Sequence, residues 1–331
     1  MNHTIARLFR SFLSYGLKII SLLLAVSIIA FALICASPID PVQQYILGLG
    51  TAVSPERRAA IAEYWGVNQP PVTRYFHWLN NLLHGDLGES ALYRRPVAQI
   101  IGERFANSLA LMVCAWILAG LLGFSLGCVM GMYRDRWPDR ILKKICYLLS
   151  SVPTFWLGLL LLLVFSVTLG WFPVGFSSPI GVLAENVTFW QRLHHLILPA
   201  LTLSLMSFSS IALHTRQKLI DVLNSEYVLF ARARGESSAS VLRRHGIRNI
   251  LLPAMTLQFA SFAELFGGSV LAENVFSYPG LGSAVAAAGL NSDVPLLLGV
   301  TIFSALFVCV GNLIANLLYG VIDPQIREVN L

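Results

Sequence analysis

Glu264, in the stretch FAELFGGSV, is the one carboxylate well inside a long apolar run of this chain. An ionisable group in such a run is costly and by default marks a polar pathway or a buried pair. It could line a path for a cationic or metal-bearing cargo, or it could be a protonated or hydrogen-bonded group that serves packing. Gly267 and Gly268 follow it and would let another helix approach closely. No metal site is assigned: the seven histidines do not pair at ligand spacing within an apolar run, which leaves Glu264 as the only metal contact to consider. The cysteines Cys35, Cys114, Cys128, Cys146 and Cys309 are scattered, without a C-x-x-C pair, and read as small apolar residues rather than ligands or a disulfide. A phosphate-cradling loop needs G-x-x-x-x-G-K-[ST], and none of Lys18, Lys143, Lys144 and Lys218 follows a glycine. H-E-x-x-H is missing too. The chain is therefore read as a non-enzyme that needs no cofactor of its own.

The second chemistry-bearing stretch is ARARGESSASVLRRHGIRNILLP, residues 231 to 253, with five arginines and no aromatic residue between two apolar blocks. Its pattern predicts a helix, SEYVLFARARG, stopped by Gly235. Ser237 or Ser238 would cap a second helix, ASVLRRHGIRN, that runs toward Pro253. Ala231 and Ala233 beside the terminating glycine leave the backbone open to close approach. The segment is built for docking. A simpler reading of Arg243 and Arg244, as solvated charges next to a membrane, stays open.

These residues must be positioned by membrane elements. Of the 331 residues 56% are apolar and 12% charged, against about a quarter charged in soluble domains. Runs near the roughly 20 residues that cross hydrocarbon occupy 17–36, 106–132, 145–171, 196–214, 250–272 and 296–322, so an all-α, polytopic protein with six spans is expected. The first run follows Arg7, Arg10 and Lys18, as a signal peptide would. It is long, lacks an A-x-A site, and has the bulky Ile34 before Cys35, so it is read as a retained span.

Orientation follows from charge, because short cytoplasmic loops are enriched in Lys and Arg. With six spans, the N-terminal segment 1–16, the connection after the second span, the segment 215–249 and the tail 323–331 fall on one side, along with sixteen Lys and Arg (Lys18 at the membrane edge included). The opposite side has Arg192, none in 273–295, and six in the long region 37–105, where six acidic residues offset them. Both termini are expected in the cytoplasm, and the net charge of +6 is a topology signal rather than a nucleic-acid footprint. Within 37–105, SPERRAAIAEYWG and the aromatic-rich stretch ending near Gly85 read as two helices capping the outer face. Pro153 is expected to bend the third span.

Beyond these readings, the segment with Glu226, Tyr227, Val228, Ala231, Arg232, Ala233, Arg234, Gly235, Arg244, His245, Arg248, Asn249, Leu252 and Pro253 resembles the "EAA" loop of ATP-binding-cassette importer permeases of the peptide and nickel subfamily. WGVNQPPVTRYFHWLNNLLHGDLGES, SVPTFWLGLLLLLVFSVTLGWFPVG, LAENVFSYPGLG and the closing DPQIR resemble the same subfamily, in order along nearly the whole chain. GVNQPP, Gly246 and the polar stretch after WFPVG depart from its usual pattern.

The resemblance implies the type I importer permease fold in a bacterial inner membrane, with 106–322 as the permease domain. The partners it implies are a second homologous permease subunit, two ATPase subunits and an extracytoplasmic substrate-binding protein. Glu226, Tyr227, Ala231, Arg232, Ala233, Arg234, Gly235, Arg244 and His245 would couple to an ATPase. Glu264, Gly267, Gly268 and Pro153 would belong to the translocation path, and Glu273, Asn274, Phe276, Pro279 and Gly280 to an extracytoplasmic gate. AELFGGSVLAENVF leans toward nickel or a metal chelate as cargo, with di- and oligopeptides the other reading. A secondary transporter would show paired broken helices and several intramembrane charges, and a non-transporting scaffold would need only the docking segment.

Overall fold

The computed structural model describes residues 2–36, 46, 54–64 and 69–322. The expectations placed on 37–45, 47–53, 65–68 and the tail 323–331, with its DPQIR, lie outside the described residues. The described residues form helices joined by turns and two longer irregular connections, 84–96 and 169–188, and their only β pairing is an isolated bridge between Glu89 and Pro96. In chain order the helices are α1 (Asn2–Ala36), α2 (Pro55–Tyr64), α3 (Pro71–Leu83), α4 (Val97–Met132), α5 (Trp137–Ser151), α6 (Thr154–Leu161), α7 (Phe189–Leu223), α8 (Glu226–Ala233), α9 (Ser238–Val241), α10 (Ile247–Val275), α11 (Leu281–Leu290) and α12 (Val294–Ile322).

Among the described residues four stretches are long and apolar enough to cross a bilayer: Gly16–Ala36, Val97–Met132, Phe189–Leu223 and Val294–Ala315. The count is six if each of two bent helix pairs is one span. The first bent pair occupies the run 145–171. There the chain turns by 111° between Trp137–Ser151 and Thr154–Thr168, because Val152 before Pro153 is held extended at φ −91°, ψ 133°. Pro153 thus starts a new helix instead of bending a continuous one. The second pair bends by 55° between Ser238–Phe262 and Glu264–Val275. Pro253 lies inside α10 without ending it, so the helix after Gly235 runs on through a π-helical turn, Leu242–Gly246, into the apolar run.

The chain divides into two compact units. In the unit of residues 1–107 and 280–310, α3 lies against α1: the Ser27 and Tyr75 hydroxyls are 2.8 Å apart, and Phe31 packs on Tyr75 and Trp78. Asp293 is fully buried there, accepting hydrogen bonds from Ser90 Oγ at 2.5 Å and from the Leu92 amide at 3.0 Å. Phe105 stacks edge-on against Phe303 and Phe307.

The unit of residues 108–279 and 311–331 has its core where α4 meets α7. Gly123, Gly127 and Gly131, four residues apart, form one stripe of α4. A Cβ on them would fall 2.7 Å from Ile211 Cβ, 2.6 Å from Thr215 Cβ and 2.8 Å from Leu219 Cδ2. Small residues at this spacing let two helices approach to backbone contact without lipid between them. The Arg216 guanidinium joins α7 to α5, donating from Nε to Asp139 Oδ1 at 2.6 Å and from Nη2 to Oδ2 at 2.7 Å. All five cysteines are free.

Candidate functional site

Three of the four residues expected along a path converge on one cavity. About 480 Å³ in volume, it lies between α7 and α10 with Thr154 at its edge, and Glu264, Gly267 and Gly268 all line it. Ser207, Ser210 and Ser261 add hydroxyls, and Leu203, Met206 and Ile211 are among its apolar walls. The α10 side is the row 257, 260/261, 264/265, 267/268, 271, one face of a helix by its three- and four-residue steps. Pro153 is not in the lining, but its break places Thr154 there. The glycines differ in role: a Cβ on Gly268 would meet Leu203 Cδ2 at 3.3 Å, whereas nothing lies within 4 Å of one on Gly267. The expectation of close helix approach therefore fails at Gly267, which faces open space.

In the docking segment, α8 ends as the sequence demands. Gly235 has φ +86°, the left-handed conformation that glycine adopts without a Cβ penalty. Its amide donates to Arg232 O at 2.9 Å and that of Glu236 to Ala231 O at 3.2 Å, the two bonds of a Schellman motif. Ser237 caps the next helix, accepting from the Ser240 amide.

Val228 and Ala231 are buried against the protein's own helices, being three apart on one face. Ala231 is thus unavailable to a partner, contrary to expectation. The exposed face carries Glu226, Arg232, Ala233 and Arg234, together with Tyr227, Leu229 and Phe230, which are 48%, 56% and 66% exposed. Arg234 lies over the Phe230 ring, 6.0 Å from its centroid.

Arg244 and His245, both expected to couple to an ATPase, lie next to Glu236 of the same segment. Arg244 Nη1 is 4.0 Å and His245 Nε2 3.7 Å from its carboxylate, which also accepts from Ser240 Oγ at 3.0 Å. Asn249 ties this cluster to α8 by donating to the Tyr227 hydroxyl at 3.1 Å. Arg244 stays largely exposed, so its contact is a weak surface pair.

The stretch 273–280, expected as the start of a loop, is a folded corner. α10 continues to Val275, and Glu273 and Phe276 are buried. Ser108 Oγ donates to Glu273 Oε1 at 2.6 Å, so this carboxylate holds α4 to α10 and is not presented to solvent. The helix ends with Ser277 at φ +46°, and the Tyr278 amide donates back to Glu273 O at 2.8 Å. Burial, followed by the Glu273 charge, pushes the Tyr278 phenol up to about 12. Phe276 O accepts from the Phe176 amide at 3.0 Å, and a Cβ on Gly175 would lie 2.4 Å from that oxygen. Asn274 is exposed, Pro279 half-buried and Gly280 buried as the N-cap of α11. His195 and His194, expected in a loop, lie in the first turns of α7, within hydrogen-bonding distance of the Gly175 and Trp171 carbonyls at 2.8 and 2.9 Å.

Two features escaped the sequence reading. The Asp139–Arg216 pair spans 77 positions and has no local signature. The glycine stripe does have one, the G-x-x-x-G-x-x-x-G of residues 123–131, which was hidden among other small residues of an apolar run. Among the described residues, no group of three or more His, Cys, Asp and Glu could hold a metal.

Residues 123–328 match the family described as binding-protein-dependent transport system inner membrane component, and residues 8–112 match its N-terminal region. The oligopeptide transport system permease protein AppB of Bacillus subtilis is 36% identical over 93% of this chain and 96% of its own length. The glutathione transport system permease protein GsiC of Salmonella choleraesuis is 36% identical over 95% and 99%. Among solved structures, the methionine ABC transporter MetNI in inward-facing form gives a TM-score of 0.49 at 15% identity, over 66% of this chain and 96% of that one.

Proposed function

Because the chain belongs to the family of inner-membrane components of binding-protein-dependent transport systems, we propose that it forms half of an import pathway whose cargo is short peptides. It is a multi-pass permease subunit. Peptide is favoured over nickel because the relatives above are named for oligopeptide and glutathione transport. The lean toward nickel rested on AELFGGSVLAENVF alone, and no metal-ligand cluster supports it among the described residues.

The observation that carries the reading is the exposed face of α8. Tyr227, Leu229 and Phe230 stand out beside Arg232, Arg234 and the rigid turn at Gly235, which is how an amphipathic helix enters a groove of another protein. That groove would belong to a separate ATPase that hydrolyses ATP, with a second permease subunit and an extracytoplasmic binding protein completing the assembly. The charge asymmetry supports both termini and α8 on the cytoplasmic side. ATP binding would then favour one of two permease states through α8. The cavity with Glu264 would lie on the path, and the 273–280 corner would shape its outer end. A secondary transporter is disfavoured, since Glu264, the one carboxylate lining the cavity, and a docking helix do not supply an ion-coupling site.

The test is uptake of radiolabelled peptide by proteoliposomes containing the complete transporter, with wild-type chain or the double variant Tyr227→Ala, Phe230→Ala. The variant should insert normally yet lose most peptide uptake and most peptide-stimulated ATP hydrolysis. Undiminished coupling in the variant would sink the assignment of α8.

A further inference from the structure

We propose that Glu264 and the hydroxyls around it form a binding site for the charged amino terminus and first peptide bonds of the cargo during its passage. This rests on the peptide-permease reading and adds a named site to it. Glu264 opens the second arm of α10 after the 55° bend and faces the 480 Å³ cavity. Among the described residues it has no salt-bridge partner. Arg216, a cation of the neighbouring α7, is fully engaged with Asp139.

A carboxylate flanked by apolar residues and lacking its own cation suits a mobile one. The α-ammonium group shared by unmodified peptides is such a cation, and a charge-assisted hydrogen bond to it would be stronger than a neutral one. The other polar groups fit the rest of the ligand. Ser207, Ser210 and Thr154 present hydroxyls, each able to donate to a peptide carbonyl and to accept from a peptide N–H. Ser261 donates to Gln258 O at 2.9 Å, leaving its oxygen free to accept. None of these groups reads a side chain, so the site would accept any peptide with a free amino terminus. Leu203, Met206 and Leu257 line the remainder without demanding a sequence. The volume lies within the roughly 300–1,000 Å³ usual for small-ligand sites.

The experiment uses the complete transporter in proteoliposomes with its binding protein, ATP and radiolabelled trialanine, comparing wild type, Glu264→Gln and Glu264→Asp. The readout is peptide carried per ATP hydrolysed, which a smaller amount of assembled complex alone does not change; Glu264→Asp controls for uncoupling by misassembly. Glu264→Gln should lower this ratio by about tenfold, equivalent to roughly 1.4 kcal/mol, while Glu264→Asp keeps it within about threefold of wild type. A ratio unchanged in Glu264→Gln, or lowered equally in both variants, overturns the site and leaves the permease reading standing. A wild-type complex that hydrolyses ATP yet carries no trialanine overturns the peptide reading, and this site with it.

Discussion

Replacing Arg216 by methionine is expected to be among the most damaging single changes in the 108–279 unit. Asp139 is fully buried, and its carboxylate accepts two bonds from Arg216 and one from the Asp135 amide at 2.8 Å. Methionine keeps the length of the side chain but leaves the carboxylate with the amide alone. Breaking a buried pair from one side costs about 3–5 kcal/mol. At roughly 2–4 °C per kcal/mol for a unit of this size, the apparent Tm in detergent should fall by about 6–20 °C. The double variant Asp139→Leu, Arg216→Met should regain most of this, since an apolar replacement of a whole buried pair is often neutral.

The effect is linked to pH. Asp139 lies in the first turn of α5, next to the charged stretch 134–136, and the bonds from Arg216 hold its carboxyl below the usual carboxylate range. A lowered folded-state pKa gives stability that is present above the ordinary value of about 4 and lost as pH falls through the folded value. The Tm gap between wild type and Arg216→Met should therefore be constant from about pH 5 upward and close as pH drops below about 4. A single variant within about 2 °C of wild type at neutral pH, or a gap that widens on acidification, refutes the reasoning.

Further consequences follow from single glycines and one hydroxyl. Gly127→Leu should weaken the contact of α4 with α7 by about 1–3 kcal/mol or more, because even a Cβ would lie 2.7 Å from the Ala212 carbonyl; lowered Tm and greater protease sensitivity would register it. Gly235→Val should impair α8 more than Gly235→Asn, since the left-handed turn costs a β-branched residue about 1–2 kcal/mol and space around it is open; peptide-stimulated ATPase activity in the full complex reads the difference. Ser108→Ala should cost about 1–3 kcal/mol by removing a bond to the buried Glu273 carboxylate, measurable as a Tm shift.

Length and hydropathy alone required a helical membrane protein, because a chain with this few charges has no soluble way to hide its apolar runs. Local chemistry was equally legible. Gly235 had to end a helix and Ser237 could cap the next, since these residues act through their own backbone or their immediate neighbours; at Pro153 a bend was expected and a full break is found. What sequence could not yield was which face of each helix turns inward. Ala231 and Ala233 look alike on paper, yet one is buried and the other exposed, and Glu273 looks like a loop carboxylate until α4 supplies Ser108. Asp139 and Arg216, 77 positions apart, and the cavity formed by matched rows of α7 and α10 depend on how distant helices cross. Those partners are chosen by packing, whose determinants are spread over several helices, so only the tertiary structure decided them.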